Sequence, residues 1–204
     1  MIVTDKPATA SHPIHPLIQN RWSPRVFQQK PVAEEELFQL FEAARWAASS
    51  NNEQPWRFIY AYNGTAEFQK MLDCLSEFNQ TWAGLASVLI LTAIKEKFDS
   101  GKENYHALHD LGLAMGNFSV QAQSMGIGVH QMAGVTWQKA HEMFQVPAGY
   151  HVATAVAVGY FGGDTDQLPE DLASKENNPR SRRALEEIVF EHTWGQPASA
   201  AVPK

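Results

Sequence analysis

Ser49-Ser50-Asn51-Asn52-Glu53-Gln54-Pro55-Trp56 lies directly after a helical pattern and directly before an apolar strand pattern. The turn offers hydroxyls and carboxamides, Pro55 fixes the backbone, and Trp56 anchors the next strand. On its N-terminal side, residues 32–48 read as a helix. Leu37, Leu40, Phe41 and Ala44 fall at i, i+3, i+4 and i+7, and Glu34, Glu35 and Glu36 suit the positive end of its dipole. On its C-terminal side, 58–62 reads as a strand closed by Asn63-Gly64.

Further along, 65–77 reads as a helix with Phe68, Met71, Leu72 and Leu75 on one face. The continuous apolar run 87–94 suits a buried central strand. Residues 104–125 form the longest helical pattern, roughly 33 Å at 1.5 Å per residue. Its leucines point in several directions, and Ala107, Gly112, Ala114, Gly116 and Ala122 are small. A helix apolar on most sides must be buried on most sides. Close helix–helix contact would justify the glycines, either across a subunit interface or inside one core. Strands are predicted near 129–132 and over 152–160, with a helix from Thr136 to Phe144 between them. From 163 the chain turns polar and carries Lys175, Arg180, Arg182 and Arg183, which suggests an extended arm that docks elsewhere.

A chain of 204 residues usually makes one domain, and 44% hydrophobic content is ordinary for a globular one. A net charge of −6 offers no electrostatic footprint for nucleic acid. The longest apolar runs fall well short of the ~20 residues of a membrane helix. Residues 1–13 lack the apolar core of a secretory signal. The single cysteine, Cys74, cannot make an internal disulfide. A soluble cytoplasmic protein is expected, without nucleic-acid or membrane partners.

Upstream of the turn runs Arg21-Trp22-Ser23-Pro24-Arg25-Val26-Phe27. In extended backbone the alternating Arg21, Ser23 and Arg25 project to one side. Guanidinium forks bind phosphate oxygens with paired bonds, and a hydroxyl adds another donor. Read alone, the same residues also suit a solvated loop, and Arg180 and Arg182 a charged tail. His106, His109 and Asp110 share a helix face in metal-ligand style, but polar groups at an interface or helix edge explain them better, so no metal is expected. His141-Glu142 lacks a second zinc-binding histidine, and no Gly-x-Gly-x-x-Gly is present.

Taken in order, these segments resemble the FMN-dependent nitroreductase family. The likeness runs through Arg21-x-Ser23-x-Arg25-x-Phe27, the helix ending at Ser49-Ser50-Asn51-Asn52, Asn79-Gln-Thr-Trp82, Asp110-Leu-Gly-Leu-Ala-Met-Gly-Asn117, Pro147-Ala-Gly-Tyr150 and Arg180-Ser-Arg182-Arg183. It covers roughly residues 14–195. The resemblance implies one α+β domain over 1–204, with a core at about 14–163 and an extended C-terminal arm at 164–204. A small mixed sheet would be flanked by helices, in a homodimer built on the long central helix with the arms exchanged.

It also implies a cofactor and an activity. FMN would be held by Arg21, Ser23 and Arg25, with Arg180 and Arg182 completing the phosphate site. Ser49, Ser50 and Asn52 would pack over the ring and ribityl chain, often from the other subunit, and Gln54 matches a less consistent contact. Asn79 would meet the pyrimidine edge, and the backbone of Ala133 and Gly134 would face flavin N5. No side chain is required as a nucleophile or base. The expected enzyme is an NAD(P)H-dependent oxidoreductase passing electrons to nitroaromatic, quinone or similar conjugated acceptors by a ping-pong cycle. A same-fold enzyme that dehalogenates or destroys flavin, or a flavin-storage protein with little turnover, are the alternatives. Trp82 departs from relatives that carry a lysine there, which bears on flavin potential.

Overall fold

The computed structural model describes residues 5–201; residues 1–4, where the reading of the N-terminus begins, and 202–204, which close the expected arm, lie outside the described residues. The apolar run predicted as a central strand is β2, Val88–Lys95, buried at all positions but its last. It pairs with β1 (Trp56–Tyr62) on one side and β4 (Tyr150–Tyr160) on the other, and β3 (Ile127–Met132) lies beyond β4.

Every pairing in this four-stranded sheet is antiparallel. The expected mixed sheet is corrected on this point: no parallel pair forms among the described strands. A parallel return needs a crossover that spans the whole strand. After β1 the chain makes two short helices instead, α3 (Ala66–Asp73) and α4 (Glu77–Ala83), and re-enters so that Tyr62 pairs with Val88. The single helix expected over 65–77 is broken because Ser76 caps a new one, its side chain accepting from Asn79 N.

Alternation along β2 sorts the core into two layers. Val88, Ile90 and Ile94 pack with α2 (Glu34–Arg45) and α5 (Ala107–Ser124), the short α1 (Pro16–Asn20) lying just before the Arg21–Phe27 segment. Leu89, Leu91 and Ala93 face the opposite layer, with Phe68, Met71, Trp82 and Ala140 from α3, α4 and α6 (Trp137–Met143). Both sheet faces are covered, which is why β2 and β4 lack polar alternation.

The stretch read as an arm from 164 starts differently. It makes a short turn and α7 (Glu170–Asn177), whose spacing puts Leu172 beside Leu168 in the chain's own core. Beyond 177 the segment is loosely built, and Ile188, Val189 and Trp194 are exposed, Trp194 by 90%.

The Arg21–Phe27 segment is pinned by its last two residues, Val26 and Phe27, both buried. Phe27 leaves no room opposite. A Cβ at Gly163 would lie 2.4 Å from Phe27 N and 2.5 Å from its carbonyl oxygen. Backbone cannot rotate away as a side chain can, so Gly163→Ala is expected to cost about 1–3 kcal/mol of stability. Urea unfolding measures this; a wild-type midpoint would refute the packing.

Candidate functional site

The polar turn after α2 is held in an unfavourable conformation. Asn51, Asn52 and Gln54 have φ of 53°, 57° and 48°, in the left-handed region that non-glycine residues avoid. Local bonds stabilise it. Gln54 N donates to Ser49 Oγ at 3.0 Å, and Gln54 Nε2 donates to the Asn52 carbonyl at 3.0 Å. Ser50 N donates to Asp110 Oδ2 at 3.0 Å, tying the turn to α5 through a carboxylate only 2% exposed. Ser49 and Ser50 line a cavity of about 230 Å³ with His106, His109, Asp110 and Leu113. Among the described residues no group of three or more His, Cys, Asp or Glu is placed to hold a metal.

Further along the same helix a second cavity of about 500 Å³ is lined by Ile18, Arg21, Ser23, Gly112, Gly116, Ser119, Val120 and Gln131. Arg21 Nη1 donates to Ser23 Oγ at 3.3 Å. Burial lowers the Arg21 pKa, and the positive charges of Arg180 and Arg182 lower it further. The arm arginines therefore stand beside Arg21, although they lie far away in sequence. Arg180 Nη1 is bound to the carbonyls of Lys6 at 2.8 Å and Gln19 at 2.7 Å. Arg182 is exposed and bonds the Ser181 carbonyl. None of the three pairs with a carboxylate among the described residues.

Arg25 does not join them. Its guanidinium meets Glu176 Oε2 at 3.3 Å, and its backbone N donates to Glu176 Oε1 at 2.7 Å. Alternate spacing placed Arg25 beside Arg21 only for a uniformly extended chain. A carboxylate 151 positions away captures it instead.

Asn79 and Gly134 come together at the end of β3. Asn79 Nδ2 donates to the Gly134 carbonyl at 3.3 Å, and Ser76 N donates to the same oxygen at 2.9 Å. A Cβ on Gly134 would lie 2.5 Å from Ser76 Oγ and 2.7 Å from Asn79 Nδ2, so a larger residue would displace both side chains. The N–H groups of Ala133 and Gly134 donate to no partner among the described residues. Trp82 is 1% exposed, and its ring centroid is 4.4 Å from that of His130. Burial pushes the His130 pKa down to about 4, with the nearby charges of Arg25 and Arg21 also disfavouring the imidazolium; hydrogen bonds to the Pro24 and Ser23 carbonyls oppose the shift.

Sequence reasoning missed Gln131, His130 and Glu176, and read Asp110 only as a polar group at an interface or helix edge. A faint signal for two of them existed: His130 and Gln131 interrupt an otherwise apolar strand. Nothing local marked Glu176.

The model of the nitroreductase family matches residues 18–81 and 75–160. The chain belongs to the nitroreductase family. This nitroreductase-family chain is 25% identical over 222 residues to the major NAD(P)H-flavin oxidoreductase of Aliivibrio fischeri, covering 88% of this chain and 98% of that one. It is 35% identical over 117 residues to an uncharacterized 15.4 kDa protein of Mycolicibacterium smegmatis, covering 57% and 78%. Among solved structures, one described as an oxidoreductase containing FMN superposes with a TM-score of 0.87 at 34% identity, covering 92% of this chain and 96% of that one. A single-site variant of an FMN and NADPH-dependent nitroreductase from a Sphigopyxis strain superposes at 0.69 with 14% identity, covering 87% and 98%, and shares the fold. No described helix of this nitroreductase-family chain is long and apolar enough to cross a membrane.

Proposed function

We propose that this protein is an FMN-dependent oxidoreductase that uses NAD(P)H to reduce nitroaromatic, quinone or similar conjugated acceptors. The observation that carries the reading is the cluster of Arg21, Arg180 and Arg182, none paired with a carboxylate among the described residues, with Arg21 lining a roomy cavity. Like charges are held together at a cost unless an anion offsets them. A phosphate meets that need, and Arg21, Ser23 and Arg182 are the groups free to bind it. Arg180 supplies charge, its guanidinium being engaged by the Lys6 and Gln19 carbonyls.

The remaining groups suit a flavin ring. The Ala133 and Gly134 N–H groups would donate to flavin N5 and orient the ring. Asn79, whose amide nitrogen is engaged, keeps its carbonyl oxygen for the pyrimidine edge. Gly112 and Gly116 leave open space where a Cβ would project. When bound, FMN supplies the redox chemistry, moving electrons from NAD(P)H to the acceptor in two separate half-reactions. The protein then positions the ring and provides charge. Trp82 brings no cation to the ring.

The turn bearing Ser49, Ser50, Asn52 and Gln54 opens onto a different cavity from Arg21. Each cavity abuts the exposed ridge of α5. A two-fold pairing of these ridges would bring the turn of one subunit over the arginine cluster of its partner. Such a pairing would make a homodimer with shared sites.

Purified protein is expected to be yellow and to release FMN, not FAD, on denaturation. With excess NADH or NADPH, a quinone should accelerate flavin reoxidation over many turnovers. A colourless protein that leaves the FMN spectrum unchanged would sink the reading. Flavin binding without turnover would favour storage, and failure with every nitroaromatic and quinone would favour dehalogenation or flavin destruction.

A further inference from the structure

We propose that His130 and Glu176 are positioning residues that fix the Arg21–Ser23 hook by gripping one peptide unit, the Pro24 carbonyl and the Arg25 N–H, from opposite ends. The inference rests on the reading of Arg21 and Ser23 as phosphate ligands. The His130 Nδ1 atom is 3.0 Å from the Pro24 carbonyl oxygen. A carbonyl only accepts, so Nδ1 carries the proton. The Arg25 N–H donates to Glu176 Oε1 at 2.7 Å. These two bonds end on the same planar amide. With both ends held, the plane cannot rotate without breaking its bond to the half-buried His130 or to the buried Glu176.

Three further features stiffen the grip. Pro24 has a fixed φ and restricts the preceding Ser23 to extended backbone. A Cβ at Gly128 would lie 2.5 Å from Pro24 Cγ, so β3 closes directly on the proline ring. The Trp82 ring lies against the imidazole and fixes its plane. Burial and the two nearby arginine charges also keep that imidazole neutral, with a pKa of about 4.

Glu176 has a second effect. It is 1% exposed, and such a carboxylate needs partners. It takes Arg25 through Oε2, while Lys6 Nζ goes to the Glu176 backbone carbonyl at 2.6 Å. Arg25 is thereby withdrawn from the cluster, and Arg21 keeps its charge for the ligand. The grip thus sets both where the hook points and which arginine serves it.

The test compares FMN with riboflavin, which lacks the phosphate, by fluorescence titration of the apoprotein. A wild type that binds both alike shows that the phosphate reading has failed, before any variant is made, and the positioning role falls with it. If the wild type prefers FMN, His130→Leu is expected to shrink the FMN-to-riboflavin affinity ratio by about tenfold, the size of one charge-assisted hydrogen bond. His130→Asn, whose amide nitrogen can stand where Nδ1 stood, should restore most of it. A folded Leu variant with an unchanged ratio overturns the proposal, as does an equal loss for both ligands. A second measurement needs no variant. Arg25 lies outside every helix and strand, yet its amide should exchange with solvent as slowly as those of the sheet in wild-type apoprotein. Free exchange at Arg25 overturns the clamp even if the leucine variant does not fold.

Discussion

Arg21→Ala is expected to weaken FMN binding by about 1.5–3 kcal/mol, the range for hydrogen bonds to charged groups. Riboflavin should bind the variant about as well as it binds wild type. Arg21 is part-buried and stands within reach of two other guanidinium charges, so its field is poorly screened by water. Arg182→Ala should cost less, because that side chain is exposed and screened. The apoprotein offers an independent sign. Removing Arg21 relieves repulsion with Arg180 and Arg182, so the variant apoprotein should be no less stable than wild type. If riboflavin loses as much affinity as FMN, Arg21 is not a phosphate ligand.

Arg25 shows where sequence reasoning stops. Spacing by two in a loop places residues on one side only if every intervening residue is extended. The partner that redirects Arg25 is Glu176, on a helix that the sequence presented as part of a polar arm. Such a long-range ion pair leaves no local trace. Arg180 and Arg182 stand beside Arg21, a neighbourhood that the resemblance implied and the spacing did not. The strands were legible wherever burial on both faces removed polar alternation, as in β2. The sheet's direction was not, since pattern alone does not say at which end a chain re-enters. The broken helix at Ser76 was missed for a related reason. Apolar periodicity continues across it, and only the cap at Ser76 marks the restart.

The turn at 49–54 was legible as a polar turn but not as a strained one. The turn that holds its left-handed asparagines and Gln54 is tied through Ser50 N to Asp110, a residue whose sequence context read as a polar group at a helix edge or interface. Cost held in a loop by a buried tether is a recurring property of ligand clamps. Here the tether comes from α5, the helix whose other face is bare.

That bare face carries the second large effect. Leu108 and Leu113 are 59% and 40% exposed in the single chain. Nothing lies within 4 Å of a Cβ placed at Gly112 or Gly116. In an isolated chain Gly116→Leu therefore meets no obstacle, and leucine's higher helix propensity should stabilise it by about 0.5–1 kcal/mol. In a dimer whose helices pack along this ridge, the same change forces them apart and costs roughly 1–3 kcal/mol or more per interface. The two cases differ in sign. We expect the wild type to sediment as a dimer at micromolar concentration, and Gly116→Leu to shift toward monomer and lose FMN. Gly116 also lines the Arg21 cavity, so flavin loss alone would not separate blocking from dissociation. Leu108→Glu, outside that cavity, supplies the control: it should dissociate the dimer and release FMN without touching the arginines. A Leu108→Glu protein that stays dimeric, or a wild-type monomer with full FMN occupancy, would remove this ridge from the interface and return both cavities to a single chain.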